Sequence, residues 1–138
     1  MDDKRPVGDQ PDIQSQYKNR TWLQSFGHAV DGIANTAKTE RNFRIQIFFG
    51  FFAVIGCIIL RVEPWQFAMV AFAIFFVLAT ELVNTAIEAL TDLSCKGKIH
   101  PLAKKAKDAA AGAVLLASGF ALVTGAIVAI TVIMARGQ

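Results

Sequence analysis

Glu81, Asn84, Thr85, Glu88 and Asp92 stand at offsets of three, four, seven and eleven from the first of them, a spacing that places all five on one face of an α-helix. The residues just before them, Trp65 to Thr80, carry no charge and are almost wholly apolar. An ionisable group in such a helix is too costly to turn toward lipid, so it faces a bundle interior or a cavity and normally marks function. A lone buried carboxylate can serve packing alone, but three acids and an Asn on one stripe make that a poor account. Carboxylates so placed can accept protons and can offer oxygen to a hard cation.

The stripe is divided by depth. At 1.5 Å of rise per residue, Glu88 lies about 10 Å further along the axis than Glu81. Glu40, within Thr39-Glu40-Arg41-Asn42 and just ahead of another apolar block, falls at a depth similar to that of Glu88. Two carboxylates there could share Mg2+, which takes one or two protein carboxylates and fills its other positions with water and phosphate oxygen. The plainer alternative for Glu40 is a surface ion pair with Arg41 or Arg44. Past the stripe, His100-Pro101-Leu102-Ala103-Lys104-Lys105-Ala106-Lys107-Asp108 resumes a helix after Pro101 and brings ammonium groups to a membrane surface. For Lys104 and Lys105, topology and attraction to anionic headgroups is the better reading. Lys107, followed by Asp108 at the mouth of an uncharged span, is suited to neutralising phosphate.

Other chemistries are absent from the sequence. It has no G-x-x-x-x-G-K-[ST] loop, no glycine-rich kinase loop and no DFG segment, so no common phosphate cradle is available. His28 and His100 form no ligand pair with each other or with the cysteines. Cys57, in an apolar block, and Cys95, in a connection, suggest neither a disulfide framework nor a zinc site.

The elements that carry these residues belong to a membrane protein. Of 138 residues, 54% are hydrophobic, and the mean hydropathy is +0.42, an excess that one small soluble core cannot hide. Residues 1–20 form a polar tail without the apolar core of a secretory signal. Over 21–39, Trp22, Phe26, Val30, Ile33 and Ala37 recur every three or four positions, which predicts an amphipathic helix lying in the membrane interface or packed on its own bundle. Spans follow at about 43–60, 65–93 and 109–134. The last is uncharged and dense in small residues such as Gly112, Gly119 and Gly125, which let helices approach closely in lipid.

Lys4, Arg5, Lys18, Arg20, Lys38, Arg41 and Arg44 precede the first span, and Lys96, Lys98, Lys104, Lys105 and Lys107 separate the second from the third. The positive-inside rule puts the N-terminus and that second connection in the cytoplasm. The net charge of +3 is clustered beside apolar blocks, which points to a membrane rather than to nucleic acid.

Glu81-Leu82-Val83-Asn84-Thr85-Ala86-Ile87-Glu88 resembles the E-x-x-N-[ST]-A-I-E signature of the bacterial diacylglycerol kinase and undecaprenol kinase family. Thr39-Glu40-Arg41-Asn42, His100-Pro101-Leu102-Ala103 and Ala106-Lys107-Asp108 extend the resemblance, in order and spacing, over about Trp22 to Ile130. It implies an all-α homotrimer of three-span subunits with an N-terminal surface helix, in the bacterial inner membrane, using ATP and Mg2+ on a lipid alcohol. Carried over residue by residue, it implies Glu81 as general base, Glu40 and Glu88 as metal and nucleotide ligands, and His100, Lys107 and Asp108 as further nucleotide contacts. Asn84, Arg44 and Asp92 become supporting residues. The fragments around Glu40, Glu88 and His100 resemble the undecaprenol kinase branch more than the diacylglycerol branch. Cys95-Lys96-Gly97-Lys98-Ile99 departs from the acidic and aromatic pair that the family often has before the His.

One reading from another class stands beside this. Glu81, Glu88 and Asp92 could form a proton relay in a small transporter, against which the lysine cluster and Glu40 count.

Overall fold

The computed structural model describes residues 21–96 and 98–136. The polar tail, with Lys4, Arg5, Lys18 and Arg20, and Gly97 lie outside the described residues. Among those described, every regular element is a helix: α1 (Trp22–Thr39), α2 (Arg41–Ile59), α3 (Pro64–Cys95) and α4 (Pro101–Arg136). Helices α2, α3 and α4 are each long and apolar enough to cross a membrane.

Residues 22–33, the first part of α1, belong to a unit of their own and expose Trp22, Leu23, Phe26, Val30 and Ile33. The remainder, from Ala34 onward, forms a second unit. Within it a single residue, Glu40, separates α1 from α2. Its N–H still bonds the carbonyl of Thr36 at 2.8 Å, and the N–H of Arg44 reaches the Glu40 carbonyl at 3.4 Å.

At the far end, α2 gives way to α3 through a tight turn in which Arg61 takes a left-handed backbone conformation, φ 46°. Glu63 then starts α3 with a capping box: Gln66 returns its side-chain oxygen to the Glu63 N–H at 2.9 Å, and Pro64 opens the first turn, where a missing N–H costs nothing. Arg136, at the end of α4, donates to the Leu60 carbonyl at 2.5 Å and ties the last span to this turn. At the opposite end Lys96, φ 47°, closes α3 with its N–H on the Asp92 carbonyl at 3.1 Å, a left-handed helix stop.

Helix α3 packs against both α4 and α2. Its buried residues Val70, Ala73, Val77 and Glu81 recur every three or four positions, one continuous stripe. Val70 meets Cys57 of α2 and Val128 of α4. Close approach of α2 and α3 depends on Gly50, where a Cβ would stand 3.0 Å from Ile74 Cγ2. Only 17%, 28% and 17% of the apolar windows of α2, α3 and α4 are buried within the chain. The chain itself leaves the rest of their apolar surface uncovered.

Helix α4 begins at Pro101, eight residues before the expected span at 109. Lys104 to Asp108 are helical, so the helix that resumes after Pro101 runs without a break into the last span.

Candidate active site

Glu81 is the buried acid of α3, only 3% exposed. Gln46 of α2 donates from Nε2 to its Oε2 at 2.9 Å. One turn along, Thr85 donates its hydroxyl to the Glu81 backbone carbonyl at 3.1 Å, so Thr85 serves the helix and not the carboxylate. The other amide atom of Gln46, Oε1, is buried with no partner. Gln46 also forms the polar end of a groove of about 560 Å³, otherwise walled by apolar and small residues including Gly50 and Ala53 of α2, Ile74 of α3, and Ala121 and Gly125 of α4. A carboxylate steadied by an amide beside an apolar groove can take a proton from an amphiphile whose hydroxyl enters by that route.

Further along α3, Asn84 donates from Nδ2 to Glu88 Oε1 at 3.0 Å, and its own Oδ1 is buried without a partner. Both side chains are half-buried. Asn84 lines a second cavity, of about 670 Å³, whose α4 wall is Ala106, Ala109, Ala110 and Ala113. Among the described residues no three His, Cys, Asp or Glu side chains converge as a metal cage. What this end of α3 offers is a half-buried carboxylate beside an orphaned amide oxygen, hard oxygen donors of the type that suits Mg2+ when phosphate completes its shell.

Glu40 caps no helix with its side chain, although its backbone, φ −92° and ψ 117°, stands at the N-terminus of α2. The surface pair weighed for it does not form. Arg44 instead turns back to α1, donating from Nη1 to the carbonyls of Lys38 at 2.8 Å and Ala37 at 3.3 Å. The ion pairs among the described residues are Lys104 with Asp108 and Lys107 with Asp92, which leaves Glu40 without one.

Lys107 therefore pairs across the helices and not with its sequence neighbour. Its Nζ lies 2.5 Å from Asp92 Oδ1, with the two side chains 36% and 71% exposed. Adjacent helical residues point about 100° apart, so Asp108 cannot share that direction, and Lys104, one turn back on α4, takes it. His100 accepts the Leu102 N–H on Nδ1 at 3.2 Å and caps the start of α4.

Gln46 had not been singled out as a site residue from the sequence. Its signal was depth: six residues inward from Glu40 is about 9 Å, nearly the distance from Glu88 inward to Glu81, so a polar side chain in that apolar block was level with the buried acid.

The pattern of a family described as prokaryotic diacylglycerol kinase matches residues 27–129. A protein of Synechocystis sp. named diacylglycerol kinase is 42% identical over 103 residues, covering 75% of this chain and 59% of that protein. An undecaprenol kinase of Bacillus subtilis is 37% identical over 107 residues, 78% of this chain and 86% of that protein. A diacylglycerol kinase of Helicobacter pylori is 29% identical over 94 residues, 68% and 73% respectively. The chain thus spans little more than half of the Synechocystis protein and most of the Bacillus one. The family match begins within α1, ends within α4 and takes in every residue from Glu40 to Asp108 discussed above, and the chain belongs to the prokaryotic diacylglycerol kinase family.

Proposed function

We propose that this chain transfers the γ-phosphoryl group of ATP to the hydroxyl of a membrane lipid, with undecaprenol as the acceptor. The observation that carries the reading is the buried Glu81, held by Gln46 at the polar end of an apolar groove. Such a groove suits an acceptor with one hydroxyl at the end of a hydrocarbon chain. The Thr39-Glu40-Arg41-Asn42 and His100-Pro101-Leu102-Ala103 segments support the polyprenol.

In the step, the lipid O–H bond breaks and its proton goes to Glu81. The alcohol oxygen bonds the γ-phosphorus, and the bond from that phosphorus to the β–γ bridging oxygen breaks as ADP leaves. Phosphoryl transfer of this kind rests on positioning and charge neutralisation. Glu88, steadied by Asn84, and Glu40 would hold Mg2+, whose chemistry is to neutralise phosphate oxygens. Lys107 leaves Asp92 for phosphate, and Asp108 and His100 keep the start of α4 in place beside it. Arg44 fixes the α1–α2 joint that presents Glu40.

The catalytic unit is residues 21–138, a single membrane-embedded domain in the inner membrane with its N-terminus and the α3–α4 connection in the cytoplasm, where the lysines of that connection lie. The large unburied apolar surface of the spans supports a homotrimer with sites shared between subunits.

Purified protein in micelles, supplied with Mg-ATP and either undecaprenol or diacylglycerol, tests the proposal. Labelled undecaprenyl phosphate is expected, formed faster than phosphatidic acid. Preference for diacylglycerol, the substrate named in the Synechocystis relative, would reverse the acceptor assignment, and labelling of neither lipid would remove the kinase reading.

A further inference from the structure

A general base passes through two states, and the group that holds it must suit both. Ionised, the Glu81 carboxylate only accepts hydrogen bonds. Once it has taken the alcohol's proton it is a carboxylic acid, with an O–H that needs an acceptor. Among the described residues, Gln46 is the side chain that hydrogen-bonds the Glu81 carboxylate from another helix.

The Gln46 amide carries both halves of what is required. Its Nε2 donates to Glu81 Oε2 at 2.9 Å, and its Oε1 is buried with no partner. A buried carbonyl oxygen left unpaired is unfavourable, so this atom stands ready for a donor. The terminal torsion of a Gln side chain is soft and close to two-fold, and a half-turn exchanges N–H for C=O at the same place with little displacement. No ionised group of the apolar spans competes for either state: α2 has no charged residue from Ile45 to Ile59, α3 none from Trp65 to Thr80, and α4 none from Ala109 to Ala135. Of the charges that flank the pair along the chain, Arg44 is engaged with the Lys38 and Ala37 carbonyls, and Glu88 lies about 10 Å along α3.

We propose that Gln46 is a positioning residue that carries Glu81 through its catalytic cycle: its amide N–H holds the ionised carboxylate and, after a half-turn, its unpartnered oxygen holds the carboxylic acid formed when the alcohol's proton arrives. The proposal rests on the lipid kinase reading above and adds to it a group that does not itself touch phosphate. Proton arrival and amide rotation together keep Glu81 bonded while the acid waits to return its proton to water.

Two substitutions separate this role from packing. Gln46→Met keeps length and volume but can neither donate nor accept in the required way. Gln46→His keeps one donor and one acceptor in a neutral ring. In the full chain assayed in micelles, Gln46→Met is expected to lower kcat roughly tenfold to a hundredfold, in the range that misplacement of a catalytic group brings, with the KM values for lipid and ATP nearly unchanged. Gln46→His is expected to recover part of that loss. Wild-type kcat in Gln46→Met, or a change confined to the lipid KM, would overturn the proposal, because the amide would then serve neither base nor cycle.

Infrared difference spectra between acid and neutral pH provide a readout that does not need turnover. The carboxylic acid band lost in Glu81→Gln identifies Glu81, and in Gln46→Met that band is expected at higher frequency, as for an acid without a hydrogen-bond partner. An unmoved band would overturn the proposal even in an inactive variant. A wild-type chain that phosphorylates neither lipid overturns the underlying reading, whereas an active wild type with an unmoved band overturns only the role of Gln46.

Discussion

Lys107 of α4 meets Asp92 of α3 across the helix interface, Nζ to Oδ1 at 2.5 Å, fifteen residues apart in sequence and at the end of the bundle where the α3–α4 connection lies. Both side chains remain open to solvent, so the pair is screened and contributes little to folding. Its consequence is for charge: the ammonium proposed to meet phosphate is held by a carboxylate that phosphate must displace.

Asp92→Asn should therefore lower the KM for ATP several-fold, because phosphate no longer competes with a carboxylate for Lys107. Lys107→Ala should raise that KM, and the double variant should resemble Lys107→Ala. Steady-state kinetics on the three proteins would check this, with thermal melts expected to coincide. An unchanged KM in both single variants would separate Lys107 from the nucleotide.

Glu81→Gln replaces a buried carboxylate by a neutral side chain of the same shape and leaves Gln46 a partner. Loss of a general base costs about 10²–10⁴-fold in rate, so kcat should fall by that factor while ATP binding, followed by equilibrium titration, stays as in the wild type. Near-normal turnover would take the base away from Glu81.

Glu88 and Glu40 are proposed to share the metal, and they differ in support. Asn84 holds Glu88 at 3.0 Å, whereas the Glu40 carboxylate is held by no side-chain hydrogen bond or ion pair among the described residues. Asn84→Leu should thus act through Glu88, raising the Mg2+ concentration for half-activation roughly tenfold, as loss of a group that orients a ligand does. Glu88→Gln should raise it further, and chelation of divalent ions should silence the wild type. An unaltered Mg2+ requirement in Glu88→Gln would exclude it as a ligand.

The three long apolar helices were legible because they follow from a one-dimensional pattern. Where charge stops, a span begins, and a stripe of carboxylic side chains inside an apolar helix is too costly to turn toward lipid. The expected bounds 43–60 and 65–93 lie close to Arg41–Ile59 and Pro64–Cys95. The start of the last helix follows from Pro101 and not from charge, since Lys104 to Asp108 end the apolar span without ending the helix. Pro101 and the cap from His100 are what mark that start. Partner choice was not legible. Whether Lys107 meets Asp108 or Asp92, and whether Glu81 meets Gln46, depends on how α2 and α4 are rotated about α3, which arises from packing around Val70 and Gly50 and not from spacing in any one helix.

Gln66 and Thr131 form the polar contact at the other end of the bundle, Nε2 to Oγ1 at 3.0 Å, with Gln66 only 5% exposed. Thr131→Val leaves a buried amide hydrogen without its acceptor, and interhelical hydrogen bonds in membranes are worth about 0.6–2 kcal/mol. Unfolding by denaturing detergent should show a loss of that size. Lipid and ATP kinetics should not change, since this contact lies far from Glu81 along α3.

Two glycines of the groove should separate packing from substrate binding. At Gly50 a Cβ would stand 3.0 Å from Ile74 Cγ2, while at Gly125 it meets nothing within 4 Å. Gly50→Ala requires Ile74 to give by a few tenths of an ångström and should act through the stability of the α2–α3 contact. Gly125→Leu has room and should leave stability near that of the wild type. Its side chain would instead fill part of the groove that ends at Gln46. If the hydrocarbon chain of the acceptor lies there, Gly125→Leu raises the KM for the lipid and leaves the KM for ATP alone. Equal effects on both substrates, or on neither, would show that the chain of the lipid runs elsewhere and that only its hydroxyl reaches Glu81.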